Sequence, residues 1–350
     1  VAAVKRPLYI AGSGAVTPAG LNAPQTVAAI RAGLSAFEEM LLSEPLGATQ
    51  VVARIRAHSR LRRTDGQWLV NMAARAIGEA LRSGMRVSET TAILLAPPES
   101  FRNHPAYADI APPDFLTAVM SATGQKFHAA SRATDGGAAA SIGLLERASE
   151  LVEQQGVEQV LLGGVDSLVN DTDLARLGRA GRLKGADNAQ GLVPGEAAAF
   201  VRLTRSPEGK AHVHAAIYGV GLAQEQDSVL SERYSQGRAL LGALRDAVTG
   251  SGPSEPDIDF VISNSNGERY SGWEQLITRP RFYRTRREAL ATAFPAMTIG
   301  DIGAAGGALA LMLAADSFVN DYAPGRTAVC ELASENGLRA AAVMARMTRR

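Results

Sequence analysis

The sequence predicts an α/β fold built from two duplicated halves, and three observations carry that prediction. Short apolar runs of strand type alternate with segments of helical spacing along all 350 residues. The rhythm of the first half recurs in the second, with the halves meeting near residue 210. Each half also holds a glycine- and alanine-rich turn that opens a small-residue helix, "TDGGAAASIGLLERA" in the first and "IGDIGAAGGALALMLAADSF" in the second. Alternation of this kind implies largely parallel sheets with helices crossing over them.

The opening stretch "LYIAGSGAVTPAG" reads as a short apolar strand that runs into a Gly/Pro turn. A helix follows at "NAPQTVAAIRAG". Asn22 has N-cap chemistry, Pro24 suits the first turn, Gln25 takes the reciprocal place of a capping box, and Gly33 is the stop. Trp68, Leu69, Met72, Ala73, Ala76 and Ala80 recur at helical spacing and predict a second helix, and the wholly apolar "TAILLAP" a buried strand. Pro97 to Pro113 reads as an irregular, Pro-rich loop, followed by a helical stretch from Asp114 to about Gly124. The turn at Asp135 then feeds a helix from about Gly136 to Gln155 and the strand "EQVLLGGVDSL". In the second half "VHAAIYGVGLAQ" is strand-like, "SQGRALLGALRDAVTGSG" helical, and "PDIDFVISNSNG" a buried strand ending in a polar loop. An Arg-rich stretch separates it from the second glycine-alanine turn and its helix.

Composition narrows the functional classes. Hydrophobic residues at 46% and charged residues at 20% describe a soluble globular chain. A formal charge of +1 argues against a surface devoted to polyanions, so no nucleic acid is expected. Two basic clusters stand out locally: Arg60, Arg62 and Arg63, and then Arg279, Arg281, Arg284, Arg286 and Arg287 interleaved with Phe282 and Tyr283. Either cluster is a docking surface or a solvated helix face making local ion pairs. The single Cys330 excludes an intrachain disulfide and a paired-thiolate zinc site, and in "RTAVCELAS" it reads as a buried strand residue. His212 and His214 share one strand face but lack an acidic or Cys partner, so no metal is expected. His58, His104 and His128 are isolated, although His128 precedes the Asp135 turn and could act there as a local base. "GSGAVTPAG" has neither dinucleotide spacing nor a following lysine, so no cofactor is expected. No leader is visible, and the longest apolar run, Ala304 to Ala315, falls short of the ~20 residues that span a bilayer. A cytoplasmic protein without membrane insertion is the expectation.

A small-residue turn before a helix N-terminus is a common mount for a nucleophile. Here the exposed side chain is Asp135, and no Ser, Cys or Thr follows it before Ser141.

The pieces resemble, in order, the β-ketoacyl-acyl-carrier-protein synthases of the thiolase fold. "IAGSGAVTPAGLNAPQTVAAIRAGLS" is similar to that family's opening, and "ASIGLLERASELVEQQGVEQVLLGGVDS" to its nucleophile-bearing helix and next strand. "GLVPGEAAAFVRL", "ISNSNGERYSGWE" and "TIGDIGAAGGALAL" resemble its "GFVPGEGAA" element and its two catalytic His loops. The resemblance implies a thiolase-like fold in layers α-β-α-β-α, with halves 1–210 and 211–350 forming one compact unit. It also implies that the catalytic positions are altered. The Cys position falls on Asp135, the two His positions on Asn266 and Gly300, and the family's Lys on Pro295. Glu196 matches a buried, hydrogen-bonded carboxylate that supports the site, and "LASENGLRAAAV" lacks the Gly/Phe-rich gating loop.

Condensation requires a thiolate and two imidazole donors. Asp135 is a poor nucleophile that serves as an N-cap acceptor, Asn266 can donate to a carbonyl or act as a turn residue, and Gly300 offers only backbone. The expected pocket of Asp135, Glu196, Asn266 and Gly300 is therefore vestigial, with no catalytic residue. The resemblance implies a non-condensing partner subunit, similar to chain-length factors, in fatty acid or polyketide-type biosynthesis. Its partners would be a second copy or an active ketosynthase, with an acyl carrier protein docking on the arginine clusters. Two alternatives stand beside it: a non-catalytic scaffold that binds proteins, or an enzyme of altered chemistry, a malonyl decarboxylase or acyl-thioester hydrolase using Asp135 or Asn266.

Overall fold

The computed structural model describes residues 6–43, 48–56, 66–82, 89–154, 156–206, 215–231, 233–249 and 251–347. In the first half β1 (Leu8–Val16) leads to α1 (Ala23–Arg31), whose N-cap Asn22 accepts from the Gln25 N–H at 2.9 Å, as the sequence predicts. A small hairpin of β2 (Phe37–Leu41) and β3 (Thr49–Ala53) follows, then α2 (Gly66–Leu81) and β4 (Thr91–Ala96). The half continues through α3 (Phe115–Ala122), β5 (Arg132–Ala133), α4 (Ala140–Glu153), β6 (Gln159–Ser167), α5 (Asp171–Arg179) and β7 (Glu196–Thr204). The second half runs β8 (Ala215–Gln224), α6 (Arg238–Val248), β9 (Phe260–Ser263), α7 (Arg269–Phe282), β10 (Ala291–Ala293) and α8 (Ala296–Ile299). It closes with α9 (Gly306–Val319), β11 (Thr327–Ala333) and β12 (Leu338–Arg346). The expected junction at residue 210 falls in 207–214, outside the described residues.

Sheet order displays the duplication. The strands lie β10-β9-β11-β12-β8-β1-β7-β6-β4-β5, so each half reads outward from the β8–β1 junction in the same succession. That junction is short, with Leu8, Tyr9 and Ile10 opposite Ile217, Ala216 and Ala215. Within each half the outer strands are parallel, β5–β4–β6 and β10–β9–β11. The inner ones are antiparallel: β7 to both β6 and β1, and β12 to both β11 and β8. The expectation of largely parallel sheets is corrected here. β11 turns directly back into β12 without a crossover helix, and only a crossover keeps successive strands parallel.

Five layers result. α2 covers the outer face of β1, β7 and β6; α6 covers β8, β12 and β11. α4 and α9 lie between the halves, α4 touching β4, β6, β8 and β12 while α9 touches β7, β6, β9 and β11. The small-residue composition of α9 follows from that position, since a helix enclosed on all sides is apolar all round. Gly307, Ala308, Leu311 and Ala314 are buried along it. Glycine lets the outer helices approach their strands: a Cβ at Gly14 of β1 would stand 2.0 Å from the Ala76 carbonyl of α2. A Cβ at Gly221 of β8 would meet the Ala243 carbonyl of α6 at 1.9 Å.

Other expectations divide. Cys330 is buried in β11, as its strand reading requires. The Pro97–Pro113 loop is more ordered than its composition suggests, coiling into short 3₁₀ turns that stack Phe101 on Tyr107 and pack it at a tilt against Phe115. α5 and α7 give no apolar stripe in the sequence because each buries mixed side chains: Asp173, Leu174 and Leu177 in one, Glu274, Thr278 and Phe282 in the other. Among the described residues no helix is long and apolar enough to cross a membrane.

Candidate functional site

The two glycine-alanine turns meet at the centre of the molecule. Gly137–Ala139 forms a 3₁₀ turn that opens α4, Gly303–Ala305 forms the matching turn before α9, and the two touch. Both border a cavity of about 310 Å³. Gly137 and Gly303 have positive φ of 66° and 48°, and each is covered by a carboxyl group. A Cβ at Gly137 would lie 2.3 Å from Glu99 Oε2, and one at Gly303 would lie 2.0 Å from Asp166 Oδ2. At the second turn the carboxyl group meets a backbone N–H that has no partner within the helix. Asp166 Oδ2 accepts from the Ala304 N–H at 2.9 Å. At the other turn Ser334 Oγ accepts from the Ala139 N–H at 2.9 Å and donates to the Gly136 carbonyl at 2.6 Å.

Ser334 belongs to the tip of the β11–β12 hairpin. The same tip is held by Glu99, whose carboxylate accepts from the N–H groups of Glu335 and Asn336. Burial, and then the negative charge of Glu335, push the Glu99 carboxyl up to about 7. Burial also drives Asp166 well above the usual carboxylate range, helped by Asp173 and Asp301. Asp301 moves up too, because desolvation outweighs the hydrogen bonds it accepts from Asn266 and from the Gly303 N–H.

Around these acids runs a paired network. Arg182 grips Glu268 at 2.7 and 2.8 Å and Glu335 at 2.6 Å. Arg176 spans Glu335 at 2.9 Å and Asp173 at 3.1 Å. Burial raises the Asp173 carboxyl, but His104, whose Nε2 lies 3.0 Å away, together with Asn170 and Arg176 brings the net value below its ordinary one.

The expected site residues are only partly brought together. Asn266 does line the cavity, yet both of its N–H donors are taken, by Asp301 at 2.7 Å and Glu268 at 2.9 Å, so it has none left for a substrate carbonyl. Gly300 does not line it; the next residue, Asp301, does. A Cβ at Gly300, with φ 71°, would strike the Val193 carbonyl at 2.7 Å, so the chain passes this point as a close backbone contact. Asp135 points away from the cavity and accepts from Arg102 Nε at 2.7 Å on the surface. It is not the N-cap acceptor; Ser334 takes that role from the hairpin. Glu196 is the buried carboxylate the sequence implies, accepting from the Ile55 N–H, Trp68 Nε1 and Ser167 Oγ at 2.8–3.0 Å, and it stands behind the site. His128 Nδ1 accepts from the Ala130 N–H and lies outside the cavity lining, so it does not serve as a base at the turn.

Of the arginines, Arg60, Arg62 and Arg63 lie outside the described residues, as do His58, His212 and His214. Arg279 is paired with Glu331 and Arg287 with Glu255, while Arg281 donates to the Gln236 carbonyl. Two of the five, Arg284 and Arg286, remain exposed without such a partner among the described residues. If this face receives an acidic carrier, the double charge reversal Arg284→Glu/Arg286→Glu should weaken carrier binding about tenfold or more at low salt. Unchanged binding in a titration would remove this face from consideration.

Glu99, Asp166, Asp301 and Glu268 escape sequence reasoning. Two of them stand beside expected positions, Asp301 directly after Gly300 and Glu268 two residues after Asn266, while Glu99 and Asp166 come from distant elements. Chemically, the cavity offers carboxyl, amide, hydroxyl and guanidinium groups, and no thiol or imidazole is among its lining residues. It can hold and exchange protons at carboxyl oxygens, but it supplies no thiolate. Among the described residues there is no cluster of three or more His, Cys, Asp or Glu side chains arranged to hold a metal ion.

No protein-family model and no curated protein sequence matches the chain. Solved structures do. A chain of the complex between a type II polyketide synthase acyl-carrier protein and its ketosynthase superposes with a TM-score of 0.80 at 14% identity, covering 98% of this chain and 100% of that one. A chain of the ketosynthase–chain length factor complex from Xenorhabdus doucetiae gives 0.76 at 15%, with 98% of both chains covered. The ketosynthase of module 6 of the bacillaene synthase from Bacillus subtilis gives 0.81 at 14%, covering 98% of this chain and 72% of that one. The duplicated five-layer architecture of this chain is thus the thiolase-like fold of the ketosynthases.

Proposed function

We propose that the protein is a non-condensing ketosynthase-like subunit that pairs with an active ketosynthase, as a chain length factor does in the similar complexes. One observation carries the reading. At the helix turn where condensation needs a thiolate, this chain has Gly137 covered by Glu99, and the surrounding cavity holds carboxyl groups and an amide where imidazoles are required. No group in this wall can accept an acyl chain as a thioester, and none supplies the imidazole donors that condensation requires. Likeness to chains from ketosynthase–chain length factor complexes supports the choice of partner. On this reading the two halves, joined near residue 210, act as one cytoplasmic unit.

Native mass spectrometry of the protein purified gently from its host tests the partnership. A one-to-one complex with an intact ketosynthase is expected; a homodimer with neither synthase nor carrier attached would overturn it. Asp135→Cys should not restore condensation, because this side chain stands on the outer side beside Arg102 and neither imidazole is present. Product from malonyl- and acyl-carrier thioesters with that single variant would refute the assignment.

The raised carboxyls of Asp166 and Asp301 favour a second reading, an enzyme that moves protons on a bound thioester. Turnover of a malonyl- or acyl-carrier thioester by the pure protein, lost in Asp301→Asn, would put that reading first.

A further inference from the structure

A second hollow, of about 290 Å³, lies between α1, the β9–β10 edge of the sheet and the end of α9. It shares no lining residue with the cavity at α4. Its floor is hydrocarbon, made by buried Val27, Phe260, Ile262 and Leu313. The polar atoms of its wall are engaged elsewhere: Ser317 Oγ donates to the Ala314 carbonyl, and Thr292 Oγ1 to that of Leu290. At the rim stands one cation. The Arg31 guanidinium lies 4.7 Å from the Tyr322 ring centroid, exposed, with no ion pair to any described carboxylate. The nearby acid, Asp316, is already bound by the Tyr322 hydroxyl at 2.9 Å, at the far end of the ring.

An apolar floor with a single free guanidinium at its mouth matches one class of ligand, and we infer that this hollow binds a medium-chain alkyl carboxylate. The chain gains from leaving water along Val27, Phe260 and Leu313. The head group takes charge-assisted hydrogen bonds from Arg31, whose planar fork suits a carboxylate. A neutral alcohol would fill the same floor but leave that donor unused. Pairing of a foreign strand with β10 is the weaker occupant, since an edge of three residues, Ala291–Ala293, offers few ladder bonds.

Decanoate, decanol and decylamine are titrated into the full chain against a polarity-sensitive fluorophore, and a diazirine-bearing decanoate is crosslinked and mapped by mass spectrometry. Decanoate should bind about tenfold more tightly than decanol. Labels should fall on the peptides containing Val27–Arg31 or Ala291–Ala293. Arg31→Gln, at an exposed helix end, should remove the preference for the acid and leave decanol unchanged. Ala293→Phe, at an exposed strand edge, should abolish labelling while the circular dichroism spectrum stays the same. Equal binding of acid and alcohol, labels confined to the peptides of Gly137 or Asn264, no labelling at all, or a dimer that forms through β10 without ligand would each overturn the inference.

Discussion

Arg339→Ala is expected to destabilise the protein by about 3–5 kcal/mol, because it breaks a buried ion pair and leaves the partner charge unpaired. Arg339 is 1% exposed on β12. Its Nε reaches Glu274 Oε2 at 2.8 Å and Oε1 at 3.0 Å, and Glu274 on α7 is itself buried. The other nitrogens donate to the carbonyls of Ser334 and Leu338 and to the Tyr270 hydroxyl, at 3.0–3.2 Å. Once the guanidinium is gone, Glu274 keeps the hydrogen bond from the Ser235 hydroxyl at 2.8 Å but loses the positive charge that pairs with it. The double variant Arg339→Met/Glu274→Leu should recover most of the loss, since apolar replacement of a whole buried pair is often neutral. Denaturant midpoints for both variants decide the matter. A single variant within about 1 kcal/mol of the parent would mean that the pair is solvated rather than buried. The effect should reach the cavity as well, because the Ser334 carbonyl that Arg339 holds belongs to the residue clamping the turn of α4.

The second large effect is a reversal of pH dependence at Glu99. Its carboxyl moves from 4.5 to about 7 on folding, so between these values the native state binds a proton that the unfolded chain has released. Stability from this group is complete below about pH 4.5, declines as pH rises, and is fully lost above about pH 7, a swing of roughly 3 kcal/mol. Glu99→Gln keeps one acceptor oxygen for the hairpin and has nothing to titrate. The variant should therefore be more stable than the parent at about pH 8 and close to it near pH 4.5. Thermal midpoints across that range provide the check. Parallel curves for parent and variant would show that Glu99 is solvated and ionised like an ordinary surface carboxylate. Asp166 and Asp301, raised by burial as well, should add to the decline in the same direction.

The sequence was legible wherever the physics is local. The cap at Asn22, the helical spacing from Trp68 to Ala80, the apolar run of β4 and the small-residue helices α4 and α9 all follow from near neighbours. The duplication was legible too, because two similar turns recur in two similar settings. The site itself was much less so. Glu99 looked like one more loop residue between prolines, yet it meets Glu335 and Asn336 across 236 and 237 positions of chain. Asp166 follows the apolar run of β6 and finds Ala304 across 138 positions. Asn266 and Gly300 were both placed by the family resemblance; Asn266 does line the cavity, whereas Asp301 was missed by one residue because spacing alone does not say which backbone step faces it. Asp135 misled for a related reason. A turn sequence names the side chains available at a helix start, and tertiary contacts decide which one turns inward.

The clamp made by Ser334 also sets an order of events. Its hydroxyl joins the hairpin to Gly136 and Ala139 across 198 and 195 positions. Contacts this distant in sequence form late, because their loop-closure entropy must be met first. As the chain emerges from the ribosome, the first half is complete while the start of α4 still lacks its cap. The centre of the molecule closes only when the final hairpin arrives, so a nascent chain stalled before residue 334 would carry an open, half-made core for chaperones to guard.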